Sequence, residues 1–222
     1  MSWEKLHDII KNWTDLNDER PFIQQQTPFL LDAAEDGLSK QYPDLELATL
    51  AILELERREK SKAVKCASEI RAMVREKKHQ PISWLMNARR KLRLLKFEHK
   101  PNESYTCSLY VILRDGYSYN NCRYGIYVGE TTKDVEERFE QHKSGIKSGR
   151  GLQQHGIQLL YSLMWPWQKV PRKSSVNLFY ESALHNALAL DNSSGPKVSG
   201  NTQEIYNWPD GFQSDLISKI TS

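Results

Sequence analysis

The sequence predicts an α+β chain: an all-α N-terminal domain, then a small antiparallel β-sheet of about three strands flanked by helices. Three observations predict it. Apolar residues recur every three or four positions from Leu45 to Leu95, the spacing of a helix face. The composition shifts after Lys100, within 99–106, where HKPNESYT reads as a linker. Beyond it, two short runs rich in Tyr, Val and Ile enclose a turn-rich stretch, the pattern of a hairpin.

Taken in order, Trp3, Leu6, Ile9, Ile10 and Trp13 predict a short amphipathic helix over 3–13. Pro21, Pro28 and Pro43 interrupt the next stretch and leave room for a helix near Phe29–Ser39. Helices follow over 45–62 and 63–78, and Pro81 suits the first turn of another. The hairpin strands are expected at Cys107–Leu113 and Tyr124–Gly129. A helix is expected at Lys133–Lys143, a basic loop through Lys143–Arg150, a third strand at Ile157–Trp165 and a helix at Ser175–Leu190. This gives a helical domain at 1–100, an α+β domain at 104–205 and a C-terminal segment at 206–222.

No apolar run approaches the roughly 18 residues of a membrane span, so no membrane role is expected. The opening MSWEKLHDIIKNW lacks the apolar centre of a signal peptide. Three cysteines without a C-x-x-C pair support neither a disulfide framework nor a thiolate zinc site. A cytoplasmic chain with reduced thiols is expected. The net charge of +3 conceals segregation: residues 1–50 carry 4 Lys/Arg and 10 Asp/Glu, and residues 51–100 carry 15 and 6. A polyanion partner, packing of acidic against basic segments, or an ordinary solvated helix face accounts for that.

The residues with chemistry lie around the hairpin. Tyr110 and Tyr127 sit in its two strands. Arg138 and His142 are one helical turn apart, hence on one face. Glu181 stands near the start of the later helix, and Asn201 lies in the loop beyond it. Taken singly, each has an ordinary structural use: cross-strand packing for the tyrosines, pairing with Glu136, Glu137 or Glu140 for Arg138, a favourable early-helix charge for Glu181.

Taken together, they resemble the GIY-YIG nuclease family over about residues 104–205. Ser108-Leu109-Tyr110 stands where the family has Gly-Ile-Tyr, and Tyr127-Val128-Gly129 where it has Tyr-Ile-Gly or Tyr-Val-Gly. GETTKDVEERFEQH looks like the stretch carrying the family's arginine, here Arg138. Glu181 corresponds to the metal-binding glutamate, and Asn201 is the best match for the late asparagine, with Asn192 and Asn207 as alternatives. The first triplet departs from the motif, and the 17 residues from Tyr110 to Tyr127 imply an insertion in the hairpin loop.

The resemblance implies a metal-dependent endonuclease that hydrolyses DNA phosphodiesters with Mg²⁺ (or Mn²⁺). Arg138 would stabilise phosphoryl oxygens, Glu181 would hold the metal, and Tyr110 or Tyr127 would activate water. His142 would position a phosphate or shuttle a proton, or else be a surface histidine. Lys143, Lys147 and Arg150 in the glycine-rich loop, and Arg89, Arg90, Lys91 and Arg93 in the basic helical block, are candidate DNA contacts. RNA is not excluded as a partner, and a homodimer on substrate is conceivable. The alternative is a non-catalytic nucleic-acid-binding protein with a degenerate form of the same fold.

Overall fold

A computed structural model of the chain describes residues 2–93, 106–118, 122–164, 169, 174–189 and 195–200. The chain divides into two compact units, residues 1–85 and 86–222. No helix among the described residues is long and apolar enough to cross a membrane.

The first unit contains α1 (Ser2–Lys11), α2 (Thr27–Leu38), α3 (Leu45–Arg57) and α4 (Ser61–Glu76). Its centre is α3, whose Leu45, Leu47, Leu50, Ile52 and Leu55 are all buried. Asp44 starts that helix by accepting the Leu47 backbone N–H at 2.9 Å. The same carboxylate accepts from Trp3 Nε1 and His7 Nδ1, both at 2.9 Å, which ties α1 to α3. Burial works to raise the Asp44 carboxyl; His7, the Leu47 amide and Trp3 outweigh it and hold it below the usual range.

Part of the charge segregation is explained inside this unit. Arg20 and Arg58 both bond Glu54, at 2.9 and 2.9 Å. Arg58 also donates to the carbonyls of Phe22 and Gln25. Arg57 pairs with Glu19, and Arg71 with Glu56. These basic residues join segments of the fold.

The second unit is α+β. Following α5 (Leu85–Leu92), which begins at the division, come β1 (Ser108–Asp115), β2 (Tyr124–Thr131), α6 (Val135–Lys143), α7 (Leu152–His155), β3 (Gly156–Leu159), α8 (Ser174–Ala189) and β4 (Val198–Ser199). The sheet order is β3-β1-β2-β4. β1 is antiparallel to β2 and β3, whereas β4 runs parallel to β2. Leu109 through Leu113 are all buried, so β1 is covered on both faces. α6 packs against β1 and β3, and α8 against β2 and β4. Asp115 and Arg123 pair at 2.8 Å where the hairpin opens into its loop.

The structure corrects several expectations. The sheet has four strands and is mixed, because Val198–Ser199 pairs with β2. The third strand stops at Leu159, where Tyr161–Leu163 tightens into a 3₁₀ turn. Residues 81–84 precede α5, and the Ile82 N–H donates to Thr49 Oγ1 at 2.9 Å. The division at 85/86 puts the basic run 89–93 with the second unit, in place of a helical domain ending at 100. Arg89 is 0% exposed and donates to the Ser162 carbonyl at 2.7 Å, so it is a structural residue and not a DNA contact. Arg90 is exposed and bonds Asn87, while Lys91 and Arg93 are half-buried. Asn201, the alternatives Asn192 and Asn207, and the segment 206–222 lie outside the described residues.

Candidate active site around the hairpin tyrosines

The hairpin register sets the geometry. Tyr110 lies opposite Gly129, and Ile112 opposite Tyr127, so both tyrosines occupy one sheet face as diagonal neighbours. Their ring centroids are 6.1 Å apart. Gly129 makes room for them: a Cβ there would stand 2.6 Å from the Tyr110 hydroxyl and 2.8 Å from Tyr127 Cε1. Gly149 does the same from the loop after α6, where a Cβ would stand 2.9 Å from Tyr127 Cε2. Tyr127 thus rests between two glycines, half-buried, whereas Tyr110 is 1% exposed.

α6 supplies the next two residues. Asp134 caps it by accepting the N–H groups of Glu136 and Glu137. Arg138 and His142 then fall on one side. His142 is fully buried, and its Nε2 lies 2.7 Å from the Tyr110 hydroxyl. Its Nδ1 accepts the Gly149 backbone N–H at 3.1 Å. An acceptor at Nδ1 puts the ring proton on Nε2, so the neutral imidazole donates to the Tyr110 oxygen. Burial, reinforced by the Arg138 charge, lowers the His142 pKa to about 4. The ring is therefore neutral at pH 7. The surface-histidine alternative does not hold.

Arg138 pairs with no carboxylate among the described residues. It donates to Gln141 Oε1 at 3.3 Å and to the Lys147 carbonyl at 2.9 Å. Its charge acts on Tyr110, Tyr127 and His142 alike. Burial nevertheless dominates at Tyr110 and pushes its phenol well above the ordinary value. Tyr127 is also raised, by burial first and then by the negative charge of Glu181; the Tyr110 hydroxyl and Arg138 oppose that rise. Glu181, on α8, is 3% exposed. The structure therefore brings Tyr110, Tyr127, Arg138, His142 and Glu181 into one electrostatic neighbourhood, with Tyr127 acted on from both signs of charge.

The loop residues serve differently from the expectation. Lys143 Nζ donates to the carbonyls of Gln153 and Gly156 at 3.0 and 2.7 Å. That spends its ammonium on fastening the loop, and burial lowers its pKa; it is a loop anchor in place of a phosphate contact. Lys147 is exposed, with its backbone carbonyl on Arg138 and φ 45°. Arg150 is exposed. Sequence reasoning missed Gly149 and Ser148; the latter's hydroxyl bonds the His142 carbonyl at 3.0 Å. The glycines of 145–151 were the available signal, and they read as flexibility and as room for a phosphate backbone.

Cys107, buried beside β2, donates to Glu130 across 3.8 Å; burial first, then the Glu130 and Glu181 charges, push its thiol up to about 11. Among the described residues no group of three or more His, Cys, Asp or Glu is arranged to hold a metal ion. His185, one turn after Glu181, is turned toward the Val198 backbone, and its pKa is lowered by burial.

No protein-family model, curated protein or solved structure matches this chain.

Proposed function

We propose that the second unit is a metal-dependent endonuclease module of the GIY-YIG type, hydrolysing phosphodiester bonds in DNA. The observation that carries this reading is the gathering of Tyr110, Tyr127, Arg138, His142 and Glu181 from two strands and two helices around one half-buried phenol. Packing alone does not call for an arginine that pairs with no carboxylate among the described residues to stand beside two phenols and a neutral histidine.

In this reading the roles follow from exposure and charge. Arg138, held by the Lys147 carbonyl, offers its remaining N–H groups to the phosphoryl oxygens, where charge develops in the transition state. Tyr127 is the more exposed phenol and handles the proton of the attacking water. A minor phenolate fraction, favoured by Arg138 and the Tyr110 hydroxyl, takes that proton as the water oxygen bonds phosphorus and the P–O bond to the leaving sugar breaks. Tyr110 is too buried to meet water and acts as a positioning residue. His142 Nε2–H holds the Tyr110 oxygen, which leaves the Tyr110 hydroxyl proton available to Tyr127.

A buried carboxylate whose charge reaches the Tyr127 phenol fits Mg²⁺, which keeps most of its waters and binds through one or two carboxylates. Glu181 would hold it, and the ion would supply positive charge against the phosphate. Cutting both strands with one such site per chain would need two copies or successive nicks.

The test is cleavage of supercoiled plasmid by wild type, Arg138→Ala and Tyr127→Phe. The reading expects both substitutions to lower the rate by about 10²-fold or more. Wild-type rates in either variant would overturn it. A binding-only reading draws on one observation, the upward shift of both phenols; DNA binding without cutting would favour it.

A further inference from the structure

The far end of the 147–151 loop meets a second group of cations. Arg114 ends β1 with its Nε buried and without a hydrogen-bond partner among the described residues. Its Nη1 donates to Ser199 Oγ at 3.2 Å, and that hydroxyl is held by the Ile126 carbonyl at 3.0 Å. Its guanidinium lies over the Tyr117 ring, 4.3 Å from the centroid, and Lys197 Nζ lies over the same ring at 4.6 Å.

Two glycines fit this arrangement. A Cβ on Gly125 would stand 1.8 Å from the Tyr117 carbonyl oxygen and 2.6 Å from that of Lys197, so both segments press against β2. A Cβ on Gly151, at φ +78°, would stand 2.7 Å from Arg114 Nη2. Next to that glycine is Arg150, exposed and near enough for its charge to act on Arg114. Neither arginine pairs with a carboxylate among the described residues. The charges of Arg114 and Arg150 raise each other's energy, and an anion relieves that cost.

We propose that Arg114 and Arg150, with Lys197, bind backbone phosphate of a DNA strand adjoining the Tyr127–Arg138 site. The inference rests on the nuclease reading for its ligand. It rests on the loop for its position: Lys147 holds Arg138, Gly149 faces Tyr127, and Arg150 and Gly151 meet Arg114. A strand whose phosphate sits on Arg138 therefore finds Arg150 three residues beyond Lys147 on the same loop, with Arg114 against Gly151 next to it. The Tyr117 ring is covered by cations, so it serves as a support for them and not as a base-stacking surface.

The test is fluorescence anisotropy of a short fluorescein-labelled DNA duplex, in EDTA to prevent cleavage, over a range of salt concentrations. Arg150→Gln removes an exposed side chain and leaves the fold intact. Loss of its phosphate contact lowers the slope of log K against log salt by about 0.9. Affinity is expected to fall about tenfold at low salt, equivalent to about 1.4 kcal/mol. Arg114→Lys keeps the charge but not the fork and is expected to fall between the two. Wild-type affinity and slope in Arg150→Gln would overturn the proposal, as would a wild-type chain that binds no duplex. If the slope falls in Arg150→Gln yet the wild type does not cut plasmid in Mg²⁺, the cluster stands and the nuclease reading fails.

Discussion

Replacing Gly129 by Ala tests the packing that sets the two phenols. The added Cβ would stand 2.6 Å from both Tyr110 Cζ and its hydroxyl and 2.8 Å from Tyr127 Cε1. Neither ring yields freely: His142 grips the Tyr110 hydroxyl at 2.7 Å, and Tyr127 is backed by Gly149. Overpacking of this kind costs about 1–3 kcal/mol. Gly129 has ordinary extended backbone, so alanine recovers about 0.4–1 kcal/mol from the unfolded chain. The net expectation is about 1–2 kcal/mol of destabilisation. At roughly 2–4 °C per kcal/mol for a chain of this size, Tm falls by about 2–8 °C. Plasmid nicking is expected to fall further than stability explains, because the rings move apart from Arg138. Thermal unfolding followed by circular dichroism and a nicking assay at a temperature where both proteins are folded read the two effects. Unchanged Tm and unchanged nicking would refute the reasoning.

Three further outcomes follow from the geometry. His142 is held neutral, with a folded pKa of about 4 against the ordinary 6.5; the unfolded chain binds the extra proton between those values, so this contribution is present above about pH 6.5 and lost as pH falls toward 4, up to about 3 kcal/mol. Denaturant unfolding from pH 7 to 4 should show a shallower loss in His142→Gln than in wild type; equal slopes would contradict the assignment. Arg89→Ala is expected to cost about 2–4 kcal/mol, because it removes a buried side chain and the Ser162 bond, without changing the salt dependence of DNA binding; Arg90→Ala should cost under about 0.5 kcal/mol, and the reverse order in chemical denaturation would be contrary. If Tyr127 acts as a minor phenolate, as proposed, log kcat/KM should rise with pH at a slope near one below its raised pKa, and Tyr127→Phe should flatten that rise; a profile unaffected by the substitution would remove Tyr127 from proton transfer.

Much of the fold was legible because it is written in short-range pattern. Leu6 and Ile10, or Ala67, Ile70 and Val74, recur at helical spacing and are buried. Pro28 falls in the first turn of α2. Leu109–Leu113 form a β-run covered on both faces. What was not legible depends on partners distant in sequence. Val198–Ser199 is too short to signal a strand and gains that state only from Ile126 and Tyr127. Arg89 reads as part of a basic surface run, yet the Ser162 carbonyl, 73 residues away, takes it inside. At the candidate site, the side chains were visible as types, and Arg138 and His142 as a pair on one face. The proton arrangement was not: it depends on the Gly149 amide reaching His142 Nδ1, and no spacing rule encodes a loop amide.

The most direct measurement is plasmid nicking in Mg²⁺ and in EDTA, by wild type and by Glu181→Gln, which keeps the size of this 3% exposed side chain. A metal-dependent endonuclease cuts in Mg²⁺ and not in EDTA, and Glu181→Gln is expected to lose cutting with folding and DNA binding retained. Metal-dependent cutting undiminished in Glu181→Gln, or a folded wild-type chain that binds DNA and never cuts it, would contradict the account.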